Sequence, residues 1–508
     1  MSMIETGVRD PAKLFMLGLD AASLPFIRAN TDRLPFLASL LDEGTLADLR
    51  SPATYLSASV WPTFYSGGQP GVHGQYFPFQ WSGEDGTFRR IGHARWSEAF
   101  YVEPFWHRIA RSGAATIAFD GAHVLHDERA PGLQITNWSY QSSGAAKASD
   151  GRVLKEIKRR FGRRPIGPEV PVPKTRHECL AIRDRLIAAV RAKAEATLYL
   201  MERPWDLFVT GWDEVHRAGH NLWPVEGEFA SDAPLDAMLS VYQETDRQLA
   251  RIWMALERLG KANLLLFTLH GMEPNRAQDH FLPEILDRLN AIYSGDARNW
   301  SARPSAPNLM AFLRGALPPG LQYRAAALLG ERIQDWVVNR SSIGGRNWRE
   351  TLSFAMTSGV EVHVRFNIAG RESPGHFQPG SAELGAYVDW LRTRLMDIRV
   401  VETEERLIRA IHRVDDLFPG PRRHFLPDLI LEWAPESPVT GIASPDIGKI
   451  ELSLATGRGG NHNDSAFLVA RGEQALHDAV SSAEDISDLA DLAERFAVPA
   501  DRAPVRIH

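Results

Sequence analysis

Leu14-Phe15-Met16-Leu17-Gly18-Leu19-Asp20 is a short, uninterrupted apolar run closed by an acid. A run of this length suits a strand buried on both faces, as in the middle of a parallel sheet, and falls short of the ~10–12 residues of an ordinary helix. Residues 114–119, 206–210 and 263–268 repeat the pattern, each bounded by glycine, acidic residues or histidine. Between the runs lie helical patterns. Residues 178–202 place Ile182, Leu186, Val190 and Ala194 at four-residue spacing, and residues 235–259 form another such stretch. Strand and helix in alternation imply an α/β fold with right-handed crossovers and a mostly parallel sheet.

The rhythm weakens between residues 275 and 445, which hold a Pro-rich stretch at 303–307, the turn Pro419-Gly420-Pro421, and strand and helix candidates of their own. The expected organisation is a core built from residues 12–274 and 446–508 with residues 275–445 inserted as a cap. With 44% hydrophobic and 24% charged residues, the 508-residue chain can bury a sizeable core. The formal charge of -6 gives no global attraction to a nucleic acid polymer, whereas a small anionic substrate remains compatible with it. The basic stretch 152–164, followed by PIGPEVPVP, reads first as a solvated helix and an extended linker. Cys179, the single cysteine, lies in a helical pattern and suggests a small buried side chain in a reducing compartment. The opening MSMIETGVRDPAKLF lacks the basic start and long apolar centre of a signal peptide, and no apolar run approaches the ~20 residues of a membrane span. A cytoplasmic protein is expected; oligomeric state is not legible.

In open α/β sheets the site lies beyond the carboxyl ends of the strands. Asp20 ends the first run, Asp213 to His220 follow the third, and His270 follows the fourth. His216 and His220 are four residues apart, so on a helix they share a face and could converge on one metal ion. His462 offers a third imidazole, behind glycines that would let its backbone come close. The segment 51–76, SPATYLSASVWPTFYSGGQPGVHGQY, is rich in hydroxyls and could supply a nucleophile activated by a metal. It also reads as a helix start capped by Ser57 or Ser59.

In chain order these pieces resemble the alkaline phosphatase superfamily, and within it the type I phosphodiesterase/nucleotide pyrophosphatase branch. The resemblance implies a three-layer α/β core with an inserted cap. LFMLGLDAAS is similar to the first metal-binding strand end, which makes Asp20 a ligand of the second metal. The family nucleophile stands ten residues before the glycine of a Thr-Gly pair; SGGQPGVHG supplies Ser66-Gly67, and counting back from Gly67 reaches Ser57, with Ser59 and Thr54 as runners-up. Where the family has Asp and His four apart, this chain has His216 and His220, so histidine replaces an aspartate. Asp213 and Glu214 would then be an additional ligand or carboxylates that orient an imidazole. Asp-His-Gly-Met becomes Leu269-His270-Gly271-Met272, which removes one carboxylate from the second site. His462 matches the last histidine of the first site. Arg365-Phe366-Asn367-Ile368-Ala369-Gly370-Arg371-Glu372 resembles a stretch of bacterial caps, from which Arg371 is expected to bind substrate.

The resemblance thus implies a hydrolase of small phosphorylated substrates that works through a phosphoseryl intermediate on Ser57. Zinc, or else manganese or iron, is expected at His216, His220 and His462, with the Asp20/His270 site weak or empty. The rival readings are a phospho- or sulfo-group transferase on the same core and a degenerate member that binds a phosphorylated ligand without turnover.

Overall fold

The computed structural model describes residues 13–91, 100–140, 145–166, 175–224, 234, 236–260, 262–295, 348–357, 362–373, 375–452 and 458–497. The start of the chain, the Pro-rich stretch 303–307 and most of PIGPEVPVP lie outside the described residues. All four apolar runs become neighbouring strands. Lys13–Leu19 lies between Ala262–Thr268 and Leu207–Trp212, with Thr116–Phe119 and Leu133–Thr136 beyond, all parallel. Ala466–Arg471 joins the other side antiparallel, then Thr45–Leu49, and Lys147–Ala148 closes the far edge, which makes eight strands.

The period of two explains why the runs are apolar throughout. Phe15, Leu17 and Leu19 enter one core while Leu14 and Met16 enter the other, and Leu264 and Leu266 alternate with Leu265 and Phe267 in the same way. The first core is covered by Pro35–Glu43, Gly151–Phe161, Arg176–Met201, Glu214–Leu222 and Ala237–Arg258; the second by Val60–Ser66, Phe105–Arg111, Gln474–Val480 and Asp488–Ala497. The result is the expected three-layer arrangement. Arg176–Met201 begins with a reciprocal cap, Thr175 accepting from the Glu178 backbone and Glu178 from the Thr175 backbone, which stabilises a helix start by about 1 kcal/mol. Cys179 is buried on this helix.

A second, antiparallel sheet runs in the order Ser353–Thr357, Val362–Phe366, Leu429–Trp433, Ile408–Arg413, and packs with the helices Leu282–Tyr293 and Ala382–Met396 around a separate core. Ile450, on the strand Gly448–Glu451, belongs to that core, which therefore extends past the expected boundary at 445. The second sheet reaches the hydroxyl-rich segment directly: the His363 imidazole bonds the Tyr55 carbonyl at 2.9 Å, and Leu56 shares a small core with Val414, Phe418, Leu426 and Ile430. No described helix is long and apolar enough to cross a membrane.

Candidate active site

Asp213 stands between the strand Leu207–Trp212 and the helix Glu214–Leu222, whose residues are all buried. That helix carries His216 and His220 one turn apart. A short antiparallel pair, Gly271–Pro274 with Gly460–Asn463, sets Met272 opposite His462 and brings the third imidazole to the same place. The approach is close enough that a Cβ on residue 460 would stand 2.6 Å from the Gly219 carbonyl oxygen and 3.1 Å from Met272 Cγ. Glycine at 460 is therefore required for this strand to lie against the histidine helix.

The three imidazoles converge through their Nε2 atoms, His216 to His220 at 2.8 Å and His216 to His462 at 2.9 Å. Their other nitrogens show which atom is left for a ligand. His216 Nδ1 lies 2.6 Å from Asp20 Oδ2 and 2.9 Å from Asp213 Oδ1, and His220 Nδ1 donates to the Gly460 carbonyl at 2.9 Å. Both Nδ1 atoms thus carry the proton, and both Nε2 lone pairs face inward, the usual outer support of a metal-binding histidine. Burial alone would lower His216, but Asp20 and Asp213 overcome it and push it up to about 10, so without an ion the ring is protonated on both nitrogens and a metal would bind by displacing the Nε2 proton. Burial drives His220 and His462 well below the ordinary histidine value, so they remain neutral donors. A tetrahedral zinc with bonds of ~2.0–2.1 Å separates its nitrogens by about 3.3 Å, so small ring rotations let this triad accept the ion. The donor set fits.

Asp20 is enclosed. Oδ1 accepts from Trp61 Nε1 at 2.8 Å and lies 3.4 Å from His270 Nε2; Oδ2 accepts from the Tyr140 hydroxyl as well as meeting His216. Burial would raise its carboxyl, yet His216 and His270 hold it well below the usual carboxylate range. Burial and then Asp20 raise Tyr140 well above the phenol value, which keeps its hydroxyl a donor. Trp61 reaches Asp20 because residues 18 and 211 lack side chains: a Cβ at either would sit 3.0 Å or less from the Trp61 ring. Leu269 is buried among apolar residues and offers no donor atom.

Ser57 is buried in the turn Ser57–Ser59, directly before the helix Val60–Ser66 that carries Trp61. Of its two rivals, Ser59 donates to the Gln75 carbonyl at 2.6 Å and Thr54 donates to Asp464 at 2.6 Å. No side chain caps Val60–Ser66, so the capping role considered for Ser59 is not realised there. Asp213 joins the histidines; Glu214 does not. Both Glu214 carboxylate oxygens are buried without a hydrogen-bond partner, and burial pushes the group up to about 7.

Arg371 departs from expectation. Its guanidinium binds Asp428 through both Nη atoms at 2.7 Å, Glu372 through Nε at 2.8 Å and the Phe366 carbonyl at 2.7 Å. Four of its five N–H donors are thus engaged inside the cap's own ion network, where it ties Val362–Phe366 to Asp428. A residue missed in the sequence takes a place at the site instead. His123 follows the strand Thr116–Phe119 at a positive φ of 54°, rests edge-on against Tyr140, and lies within the electrostatic reach of Asp20, His216 and His270; burial lowers it to about 4. The strand-end rule that picked out Asp20 would have flagged FDGAH had it been applied to the second run.

Residues 14–339 match the family model described as type I phosphodiesterase/nucleotide pyrophosphatase. Among solved structures, a quadruple mutant of the alkaline phosphatase PafA is 12% identical with a TM-score of 0.50, with 95% of each chain covered. Phosphonoacetate hydrolase from Sinorhizobium meliloti 1021, in complex with phosphonoacetate, is 14% identical with a TM-score of 0.49 over 96% of each chain. Murine ectonucleotide pyrophosphatase/phosphodiesterase 5 is 12% identical with a TM-score of 0.49, over 97% of this chain and 96% of that one. No curated protein matches in sequence.

Proposed function

The chain belongs to the type I phosphodiesterase/nucleotide pyrophosphatase family, and from that premise we propose that it hydrolyses phosphodiesters at a centre of one transition metal, with Ser57 as nucleophile. The observation that supports this reading most is the convergence of three imidazole Nε2 atoms, two of them on rings whose Nδ1 is tied to carboxylates (His216) or to a carbonyl (His220). His216, His220 and His462 would hold the ion, zinc by preference for a His₃ set. When bound, such an ion supplies Lewis acidity and lowers the pKa of a coordinated water or hydroxyl.

Asp20 acts as the counter-anion of His216: serving a second ion would cost it the bonds from Trp61 and Tyr140. The Ser57 oxygen forms a bond to phosphorus, the ester oxygen leaves with its electron pair, and water then cleaves the phosphoseryl ester to restore the hydroxyl. Phosphoryl transfer asks the protein mainly to position groups and to neutralise charge. Trp61, anchored to Asp20 one helical turn after Ser57, fixes the nucleophile's turn to the centre.

Elemental analysis should find close to one metal per chain, and a bis-nitrophenyl phosphodiester should be turned over faster than the nitrophenyl monoester. Ser57→Ala should keep the fold and the metal while turnover falls by orders of magnitude. Full activity of that variant would remove Ser57 from the chemistry, and metal binding without turnover of either ester would leave a ligand-binding protein. Product formation only with an added alcohol would mark a transferase.

A further inference from the structure

The helix Gly151–Phe161 buries Val153, Leu154 and Ile157 on one side, which leaves Lys155 and Lys158 together on another. Asp150 caps the helix, and Gly162, at a positive φ of 97°, turns the chain so that Arg163 and Arg164 come back beside the lysines. These four cations and Arg159 line a cavity of about 740 Å³, with Leu154 and Asn137 also in its wall. Glu156, the acid on this helix, is taken by Arg159 and Arg160. Lys155, Lys158 and Arg163 have no acidic partner among the described residues. In a chain of net charge -6, this gathering of cations in one concavity is a local feature that attracts anions.

The cavity is also braced. Trp138 Nε1 donates to the Gly162 carbonyl at 2.9 Å. The backbone N–H groups of Trp138, Ser139 and Tyr140 donate to Asp120 at 2.7, 2.7 and 3.0 Å, and Lys193 binds the same carboxylate at 2.5 Å. Asn137 and Asp120 hold left-handed φ values of 59° and 61°, strain that structures retain chiefly at functional positions. Tyr140, which donates to Asp20, is three residues from Asn137, so the two backbone positions are within ~10 Å of each other.

We propose that this cavity is an anion site for a small molecule bearing more than one phosphate group. Guanidinium and ammonium donors in one wall suit separated phosphate oxygens. The concave shape and the negative charge of the rest of the chain oppose a nucleic acid polymer, which needs an extended basic track.

The test titrates the metal-loaded protein calorimetrically with fructose 1,6-bisphosphate, a weakly chelating probe. The parent should bind one equivalent saturably, and the Lys155→Gln/Lys158→Gln double variant at least tenfold more weakly. Arg152→Gln, on the same helix but paired with Asp150 and outside the cavity wall, should bind like the parent. No saturable binding by the parent, or equal binding by the double variant, overturns the proposal. Because binding is read directly, it stands or falls apart from the hydrolase reading. Competition between the bisphosphate and a nitrophenyl phosphodiester, with KM rising at constant kcat, assigns the cavity to a second charged group of the substrate. Binding without competition assigns it to a separate phosphorylated ligand, and both results uphold an anion site.

Discussion

Gly460→Ala tests whether the close approach of two backbones sets the metal centre. The added methyl would begin 2.6 Å from the Gly219 carbonyl oxygen, against about 3.4 Å for ordinary contact, so the strand or the helix must yield by about 0.8 Å. Met272 Cγ, at 3.1 Å, belongs to a flexible side chain and can move aside; the Gly219 carbonyl is helix backbone and cannot. Gly219 lies between His216 and His220, and residue 460 is two before His462, so the displacement separates the two parts of the triad. Metal-ligand distances tolerate only about ±0.2 Å. Overpacking of this kind lowers stability by about 1–3 kcal/mol, and metal affinity should fall at least about tenfold, the scale on which disturbed outer support weakens metal sites.

The assay is zinc competition against a chromophoric chelator, alongside thermal unfolding with excess chelator so that the fold and the centre are read separately. Gly385→Ala is the control. It lies exposed in the helix Ala382–Met396 with nothing within 4 Å of its new methyl, and should gain about 0.5–1 kcal/mol without change in zinc affinity. Parent-like zinc affinity in a destabilised Gly460→Ala protein would refute the reasoning, since the strand would have moved without carrying His462 with it.

Arg371→Ala should destabilise the cap by about 3–5 kcal/mol, because it leaves Asp428 and part of Glu372 buried without their partner, while zinc affinity measured on the folded variant stays at the parent value. Asp428 gives the cap an acid limit: burial raises its carboxyl, but Arg371, Arg365 and Arg423 outweigh that and hold it at about 2, below the ~3.9 of an unfolded aspartate. Its contribution of about 2–3 kcal/mol is nearly full above pH ~4 and is lost as the pH falls toward 2, so chemical denaturation at pH 5 and pH 2.5 should differ by about 1.5–2 kcal/mol from this group, and by less in Asp428→Asn. His220→Ala should lose zinc on dialysis with the fold retained; retention of the ion would move the ligand set elsewhere. Leu269→Asp should raise the metal content above one per chain, and an unchanged content would show that Asp20 alone excludes the second ion.

Much of the core was legible because both faces of the sheet are covered. A strand that must be apolar on every residue announces itself as a run, and 14–19, 114–119, 206–210 and 263–268 each fall on a strand of the central sheet. The histidine pair was legible for the same local reason, as helix periodicity puts residues four apart on one face. What failed depended on partners distant in sequence. Arg371 resembled a substrate contact, yet Asp428 is 57 residues away and only the pairing of Val362–Phe366 with Leu429–Trp433 brings the two together. His123, Asp120 and Lys193 were missed because nothing local distinguishes a strained or buried polar residue from a solvated one. The lysines of Gly151–Phe161 do lie at the surface, as the helical pattern suggested, but that pattern does not show that Asn137 and Arg163 share a concavity with them.

The two departures from the family motif, histidine at 216 and leucine at 269, are best understood as a single change in charge. An aspartate at 216 would bind an ion directly and leave Asp20 free to serve another. Histidine there brings an Nδ1–H that needs an acceptor, and Asp20 and Asp213 supply it at 2.6 and 2.9 Å. Asp20 is then occupied by His216, Trp61 and Tyr140, so a further carboxylate at 269 would face it across a buried space with no cation between them, a repulsion and desolvation burden of several kcal/mol. Leucine removes that burden. On this reading one divalent ion and the buried Arg217, which pairs with Asp213 at 3.2 Å, face the two carboxylates of Asp20 and Asp213, and the centre carries about one positive charge before substrate arrives. A centre with one positive charge matches a phosphodiester monoanion better than the dianion of a monoester, whose extra charge calls for a second cation. On the proposed function, a preference for diesters is expected from the same pair of substitutions that would remove the second metal.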